Sequence, residues 1–287
     1  MMSMGPADLR VMTPADLDFA AGCTASEGWP TETREVLEGF LQHEPAGCLI
    51  AAFGSKRLGF IIATPMGVSG FIGELIVGRD ARGGGIGPLL LEGAIRFLKA
   101  RGVRSIYLDG VEGAVPYYRS RGFRPVCDSR RFQGRLSGSI PGSIRLLRRD
   151  DLAATAALDL KAFGADRRFF LERRFRLAPR LCWAAESGGR LSGFIMGMPG
   201  RQTIAVGPWV DSNPYGPSLD LLMGPASESG GFPLRVGVLE PRVGIVEGLR
   251  SIPGFRELPP SRRMAMGERS DLGMSPACLA IGSPAKG

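Results

Sequence analysis

Apolar positions in this chain fall into short runs punctuated by glycine, and one arrangement of them occurs twice. Cys48–Pro65 reads CLIAAFGSKRLGFIIATP: an apolar run, a polar turn with glycine, then a second apolar run. Cys182–Pro199 reads CWAAESGGRLSGFIMGMP. At an offset of 134 residues Cys48 meets Cys182, Gly54 meets Gly188, Gly59-Phe60-Ile61 meets Gly193-Phe194-Ile195, and Pro65 meets Pro199. Short apolar runs joined by a glycine turn predict a β-hairpin in each copy. The repeat extends both ways. LRVMTPADL from Leu9 matches IRLLRRDDL from Ile144, a strand and then a polar turn into a helix. RSRGF at Arg119–Phe123 matches SIPGF at Ser251–Phe255. Three matches in one order describe a duplicated unit. Gly134–Ser143, GRLSGSIPGS, has linker composition. It puts a boundary near residue 138 and divides the chain into 1–137 and 138–287. Each half is predicted to run strand, helix, hairpin, strand, loop, helix, strand, helix, strand, an α/β order with a mixed sheet. The 287 residues suffice for two domains of ordinary size.

A second pattern marks residues 71–102, FIGELIVGRDARGGGIGPLLLEGAIRFLKARG. Ile72–Val77 is an apolar run suited to a buried strand. Gly78–Gly87 is a loop with five glycines and three charges. Pro88 suits the first helical position. Leu90, Leu91, Ala94, Ile95 and Leu98 recur at helical spacing and predict a buried face. Lys99 and Arg101 suit the negative end of that helix, and Gly102 the position after it. Strand, glycine loop, helix is an anion-binding arrangement. Glycines let the backbone approach closely, and the unpaired N–H groups of the helix start point at the ligand. Spacing narrows the choice of anion. The Walker A pattern GxxxxGK[ST] fails because Pro88 follows Gly87. The dinucleotide pattern GxGxxG fails because its last position is Pro88 counted from Gly83 and Leu90 counted from Gly85. What remains is Arg-x-x-Gly-x-Gly, at Arg82, Gly85 and Gly87.

That loop, between a strand ending in Val and a helix, resembles the GCN5-related N-acetyltransferase (GNAT) superfamily. The family's next element also follows: the strand Ser105–Asp109, then a helix at Pro116–Phe123 with a Tyr five residues before the Phe of Gly-Phe. The resemblance implies two tandem acyl-CoA N-acyltransferase domains, each a mixed, mostly antiparallel sheet flanked by helices. It implies acetyl-CoA as cosubstrate, its pyrophosphate held by Arg82, Gly83, Gly84, Gly85, Ile86 and Gly87. Leu75, Ile76 and Val77 would run beside the pantetheine arm, a backbone N–H near Val77 would meet the oxyanion, and Tyr118 would lie near the sulfur.

In this family an amine attacks the thioester directly, which calls for a base, an oxyanion donor and an acid for the leaving thiolate. Tyr118 is the candidate acid, against a reading in which it packs under its helix. Its neighbour Tyr117 reads as core. Glu74 in FIGELIV is the candidate base, since apolar surroundings desolvate a carboxylate and raise its pKa. The competing reading is a strand position that faces solvent. Trp29 in SEGWP, Glu74, Asp109 and Trp209 are candidates for the acceptor pocket. Asp109 also reads as a residue turning out of a strand. His43, the sole histidine, reads as a surface residue in LQHEPAG.

The second copy keeps the strands and loses the chemistry. With Gly73 on Gly207 it reads AVGPWVDSNPYGPSLDLLMG, about four residues short and without Arg-x-x-Gly-x-Gly. Pro208 stands where Glu74 stands, and Arg250 where Tyr118 stands. FGADR (Phe163–Arg167), GPWV (Gly207–Val210) and RMAMG (Arg263–Gly267) resemble the YitH-type second GNAT domain of tandem acetyltransferases. That resemblance implies a part in shaping the acceptor pocket, with Asp166, Arg167 and Arg263 as polar candidates. Salt bridges internal to the domain are the competing reading.

Composition adds limits. The net charge is +8, almost all of the positive charge being Arg, since Lys occurs only at 56, 99, 161 and 286. The arginines are scattered, with no basic run interleaved with aromatics. That argues against nucleic acid and for anionic small molecules. The cysteines at 23, 48, 127, 182 and 278 form no CxxC pair. With one histidine, this argues against a metal site or a disulfide framework and fits a reducing cytoplasm. MMSMGPADLR lacks the apolar region of a signal peptide. Leu58–Gly73 is too short and too broken by Pro and Gly to span a bilayer. The expectation is therefore a cytoplasmic enzyme that moves an acetyl group from acetyl-CoA to a primary amine of a small molecule. It engages neither nucleic acid nor membrane, and monomer and dimer are not distinguished. Two other readings stay open: a non-catalytic acyl-CoA sensor, and an acetyltransferase of protein or peptide amines.

Overall fold

The computed structural model describes residues 7–212, 219–268 and 271–283. The first half runs β1 (Asp8–Val11), α1 (Leu17–Ser26), α2 (Arg34–His43), β2 (Cys48–Phe53), β3 (Lys56–Met66), β4 (Ser69–Val77), α3 (Ile86–Ala100), β5 (Ser105–Val111), α4 (Val115–Arg119) and β6 (Arg124–Gly134). The second runs β7 (Ile144–Leu146), α5 (Leu152–Phe163), α6 (Arg168–Leu177), β8 (Cys182–Ser187), β9 (Arg190–Pro199), β10 (Ile204–Asp211), α7 (Met223–Ser227), β11 (Leu234–Leu239), α8 (Val243–Ser251) and β12 (Arg256–Gly267). A short β13 (Cys278–Ala280) follows.

The duplication seen in the sequence is a duplication of structure. Both hairpins form in the same register, with Cys48 opposite Ile62 and Cys182 opposite Met196. A local cap repeats as well. The Asp16 carboxylate accepts the Thr13 N–H at 2.8 Å and both Arg10 Nη groups at 2.8 Å. Asp151 accepts the Arg148 N–H at 2.7 Å and the two Arg145 Nη groups at 2.7 and 3.0 Å. Two features depart from the expected element order. Each half has a second helix before its hairpin. α2 shows the cause, with Val36, Leu37, Phe40 and Leu41 buried at helical spacing. And α7 has five residues where α3 has fifteen.

The halves share one thirteen-stranded sheet, in the order β1-β2-β3-β4-β5-β12-β6-β11-β10-β9-β8-β7, with β13 on β10. Pairing is antiparallel except between β4 and β5 and between β10 and β11. β6 and β12 are the same strand of the repeat, and they have changed places. β12 pairs with β5 of the first half, β6 pairs with β11 of the second, and the two pair with each other. Arg256 lies opposite Gln133, and the equivalent residues Ala265 and Arg124 lie opposite one another. That reciprocity is what a two-fold axis between identical strands produces.

One apolar cluster runs across both halves and contains Phe40, Phe71, Phe163, Phe194 and Trp209. A second lies under α3, where Leu90, Leu91, Ala94 and Leu98 give the helix its expected buried face. Burying each of these leucine side chains contributes about 1.5–3 kcal/mol. Helices α2 and α6 meet between the halves. Arg173 of α6 donates to Gln42 Oε1 and to the Glu35 carbonyl, both at 2.8 Å. His43 packs there too, its ring 4.9 and 4.7 Å from those of Phe169 and Phe170. The sole histidine is thus part of an interhelical contact rather than a free surface residue. No helix among the described residues is long and apolar enough to cross a membrane.

Candidate active site

β4 pairs with β5 over Ser69–Phe71 only, and beyond that the two parallel strands part. On its other edge β4 is bulged. Gly73 lies opposite Ile62 and Ile76 opposite Phe60, so Glu74 and Leu75 together face Ile61. Glu74 sits at the bulge with φ 54°, the one positive value at a non-glycine among the described residues. Such a conformation costs on the order of 1 kcal/mol or more and persists where the surroundings over-determine it. Only 6% of Glu74 is exposed. Of the two readings of this residue, the desolvated one matches its position.

The glycine loop closes the near end of the gap. Gly83 and Gly85 take φ of 80° and 78°, which explains glycine at both positions. Gly85 caps α3, so the first helical amides, at Ile86 and Gly87, have no partner inside the helix. Pro88 is the third helical residue rather than the first, still within the turn where its missing N–H removes no helical bond. A Cβ at Gly87 would lie 3.5 Å from the Tyr117 hydroxyl and 3.8 Å from Val77. The missing side chain leaves a narrow space between α3, α4 and β4. Arg82 is already engaged: its Nε donates to the Val77 carbonyl at 3.1 Å and its Nη2 to Glu27. It ties the loop to β4 and to the end of α1.

The two tyrosines of α4 exchange their expected burial. Tyr118 is the core ring, edge-on to Phe123 at 5.9 Å between centroids, with Gly110 leaving room for it. Burial pushes its hydroxyl up to about 12, so it holds its proton throughout the ordinary pH range. Tyr117 is less buried as a residue, but its hydroxyl oxygen is shielded from solvent and has no hydrogen-bond partner among the described residues. Burial also raises Tyr117, against the charge of Arg121, whose guanidinium lies 4.2 Å from its ring.

These groups open into one cavity of about 570 Å³. Glu74, Leu75, Ile76, Val77, Arg82, Gly87 and Tyr118 line it, as do Trp29 and Asp109. Gly83, Gly84, Gly85 and Ile86 stand outside its lining, in the loop. Trp209 is not brought there: it is fully buried in the core of the second half. Asp109 reaches the cavity, but Arg263 holds its carboxylate at 2.6 and 3.1 Å. Asp166 caps α6 through the Arg168 N–H at 2.8 Å, and Arg167 pairs with buried Asp159 at 2.7 Å. The salt-bridge reading therefore describes Arg167 and Arg263, Asp166 is a cap, and none of the three lines the cavity.

The far wall comes from the second half, through Arg174, Met198, Val206, Arg235 and Ile281, and from Arg131 on the exchanged strand β6. The loop carrying Trp29 is pinned by Arg201, which donates to the Trp29 carbonyl at 2.7 Å and to the Ala21 carbonyl at 2.9 Å, near the negative end of α1. The arginines of this wall and Glu32, which also lines it, escaped the sequence reading. One signal was present: Arg131 and Arg263 are the same position of the repeated strand. Arg174 and Arg235 carry no local signature. Among the described residues, no group of three His, Cys, Asp or Glu side chains is placed to hold a metal ion.

The second half repeats the gap and fills it. β10 pairs with β11 over Ile204–Val206 and is bulged next to Gly207 and Pro208, so Pro208 does hold the place of Glu74. β13 then pairs with Trp209 and Val210, and the Ile281 N–H donates to the Gly237 carbonyl at 3.0 Å. A Cβ on Gly207 would meet the Ile281 carbonyl oxygen at 1.9 Å. The shortened loop expected after Asp211 falls largely on residues 213–218, outside the described ones.

Comparison with known proteins agrees with this anatomy. Residues 16–123 match the model of the acetyltransferase (GNAT) family, and residues 155–273 match that of an acetyltransferase (GNAT) domain. No curated protein sequence matches the chain. Among solved structures, a candidate acetyltransferase from Pyrococcus horikoshii is similar over 100% of this chain and 98% of its own, with 20% identity and a TM-score of 0.82. A GCN5-related N-acetyltransferase from Sphaerobacter thermophilus is similar over 92% and 96%, with 18% identity and a TM-score of 0.61. One from Kribbella flavida is similar over 91% and 71%, with 15% identity and a TM-score of 0.58. At these identities the likeness is one of fold. The two family matches, the glycine loop at the start of α3 and the parted strands together identify the chain as an acyltransferase of the GNAT family, with two GNAT domains in tandem.

Proposed function

We propose that this enzyme transfers an acetyl group from acetyl-CoA to the primary amine of a small-molecule acceptor, in the cytoplasm, by direct attack. One observation carries the reading: the parted strands, the bulge at Glu74 and Gly87 at the start of α3 all open into a single cavity whose far wall is the second half of the chain. A wall there favours a small acceptor over a polypeptide, which needs an open groove. The five cysteines are free, which is consistent with a reducing compartment.

Acyl-CoA supplies the activated acyl group. Residues 1–137 would bind it and carry the chemistry. Gly83–Gly87 would hold the pyrophosphate, and a β4 amide near Val77, on the edge β5 has left, would meet the developing oxyanion. Glu74 would take the proton of the attacking amine, directly or through water. Tyr118 would keep a proton ready for the leaving sulfur. Its burial supports the protonated form, and the position of the Tyr117 hydroxyl beside Gly87 makes that neighbour the one competitor. Residues 138–287, of the YitH-like type suggested by FGADR, GPWV and RMAMG, would shape the acceptor end.

Calorimetric titration of the chain with acetyl-CoA and with CoA tests the reading first. One site per chain is expected; no binding would overturn it. Thiol release is then followed with amines and with lysine-containing peptides. Release with peptides only would favour the protein modifier, and binding without any acceptor-dependent release the sensor. Tyr118→Phe should lower kcat by about tenfold or more while leaving the Kd for CoA unchanged. If Tyr117→Phe does this instead, the acid is Tyr117.

A further inference from the structure

Three arginines face the far side of the cavity, and among the described residues none of them is in an ion pair. Arg131 lies opposite Gly237, and Arg235 opposite Gln133. The two therefore share a face of the sheet as diagonal neighbours, about 7–8 Å apart at this spacing. Arg174 of α6 is only 7% exposed. Its Nη2 donates to the Gly282 carbonyl at 3.2 Å, and its Nη1 is buried without a partner. Among the described residues Arg131 donates only to the Ser261 hydroxyl.

The repeat sharpens the point. In β12 the equivalent of Arg131 is Arg263, and the ladder sets it opposite Asp109, which holds it. Opposite Arg131 the ladder sets Gly237. One of two equivalent positions has kept its acid; the other has kept only the arginine. The remaining acids in the cavity are spoken for or too few. Asp109 is held by Arg263, and Glu27 by Arg82. Glu32, 5% exposed with its Oε2 buried and unpartnered among the described residues, and Glu74 set two negative charges against three guanidinium groups. The surplus is one positive charge, which a single oxyanion neutralises. Leaving it buried and unmatched is costly, as is setting two like charges side by side. All three arginines are held below the ordinary guanidinium value, Arg174 at about 10, chiefly by burial. In Arg235 the charge of Arg131 adds to this.

We propose that the acceptor amine also carries an oxyanion, a carboxylate or a phosphate, held among Arg131, Arg174 and Arg235 while its amine is directed toward Glu74. This rests on the acyl-transfer reading and adds to it the charge class of the acceptor. Guanidinium forks match the geometry of either oxyanion, which a lysine would not do. The recognition is a product of the strand exchange, because β6 carries Arg131 out of the first half and beside Arg235.

The test is acetyl-CoA-dependent thiol release by the full chain with matched acceptors: amino acids, their amides, their decarboxylated amines, and aminoalkyl phosphonates and phosphate esters. Turnover is expected with a carboxylate or phosphate set, with kcat/KM about a hundredfold or more above the matched neutral amine. Whichever set prevails names the oxyanion. Arg131→Gln and Arg235→Gln should each raise the acceptor KM about ten- to a hundredfold and leave the Kd for CoA unchanged. Arg174→Gln endangers the fold, so the two half-buried sites carry the test. Neutral amines turned over as well as the oxyanion set would overturn the proposal, and so would an unchanged KM in both variants. A weaker Kd for CoA in either variant would also overturn it, because the arginines would then serve the cosubstrate. CoA binding without turnover of any oxyanion amine overturns it and leaves the sensor. Absence of CoA binding is a different failure, seen in the calorimeter before any amine is added, and it removes the acyl-transfer reading itself.

Discussion

Between β4 and β5 the chain leaves a gap lined by Glu74, Tyr118 and Gly87; between β10 and β11 it makes the same gap and closes it with residues 278–281. The two share their bulge and their parting strands, so geometry alone does not make a site. What differs is who satisfies the backbone. In the second half the chain's own C-terminal strand pairs with β10, and Ile281 reaches across to Gly237. In the first half the edge of β4 and the start of α3 keep their polar groups for water or a ligand. Loss of the glycine loop and the shrinking of α3 to the five residues of α7 complete the change.

That contrast can be attacked from several sides. The largest effect should come from Glu74→Gln, with kcat reduced about 10²- to 10⁴-fold and CoA binding retained, read by steady-state kinetics and calorimetry. Full activity in this variant would mean that the carboxylate is not what separates the halves. Gly85→Val forces a β-branched residue to φ 78° and should weaken CoA binding about a hundredfold. Unchanged binding would show that the loop is not the deciding difference. Leu279→Ala loosens the plug of the second gap. It should cost about 3 kcal/mol in denaturant unfolding while the CoA stoichiometry stays at one. A second site appearing would mean that the plug alone silences that half.

The smallest effect tests what the halves have in common. Burial pushes the thiols of Cys48 and Cys182, equivalent residues of the repeat, up to about 12 from 9.0. Between these values the unfolded chain has lost protons that the folded chain keeps, so stability falls as pH rises. Each thiol should account for about 1 kcal/mol between pH 8 and pH 10. Thermal unfolding against pH should show this loss, and Cys48→Ala and Cys182→Ala should each remove a similar share of it. Unequal shares would mean that the two hairpin cores are less alike than their registers.

The repeat and the glycine loop were legible because each is local. Cys48–Pro65 and Cys182–Pro199 announce their hairpins in consecutive residues, and the Arg82–Gly87 spacing is set by the geometry of one turn. The exchange of β6 and β12 was not legible, since the two strands present equivalent edges and pairing either with β5 satisfies the same hydrogen bonds. Trp209 misled for a related reason. An aromatic at a strand end reads alike whether the gap beside it is open or plugged, and the plug lies seventy residues away. Asp109 does line the cavity, but its partner Arg263 comes from the far end of the chain through the exchanged strand. Glu74 could be singled out as an acid among apolar residues; that it stands in a left-handed bulge could not.

The strand exchange also sets an order on the ribosome. β5, the edge of the first half, is complete at Val111, but its neighbour β12 begins at Arg256. At about 5–20 residues per second the nascent first half waits on the order of ten seconds with that edge unpaired. During that interval β6 is the available equivalent strand and can occupy the place that β12 later takes. Because Arg174 and Arg235 come only with the second half, the far wall of the cavity is assembled only when that half arrives, and a chain released too soon holds the Gly83–Gly87 loop without the wall that faces it.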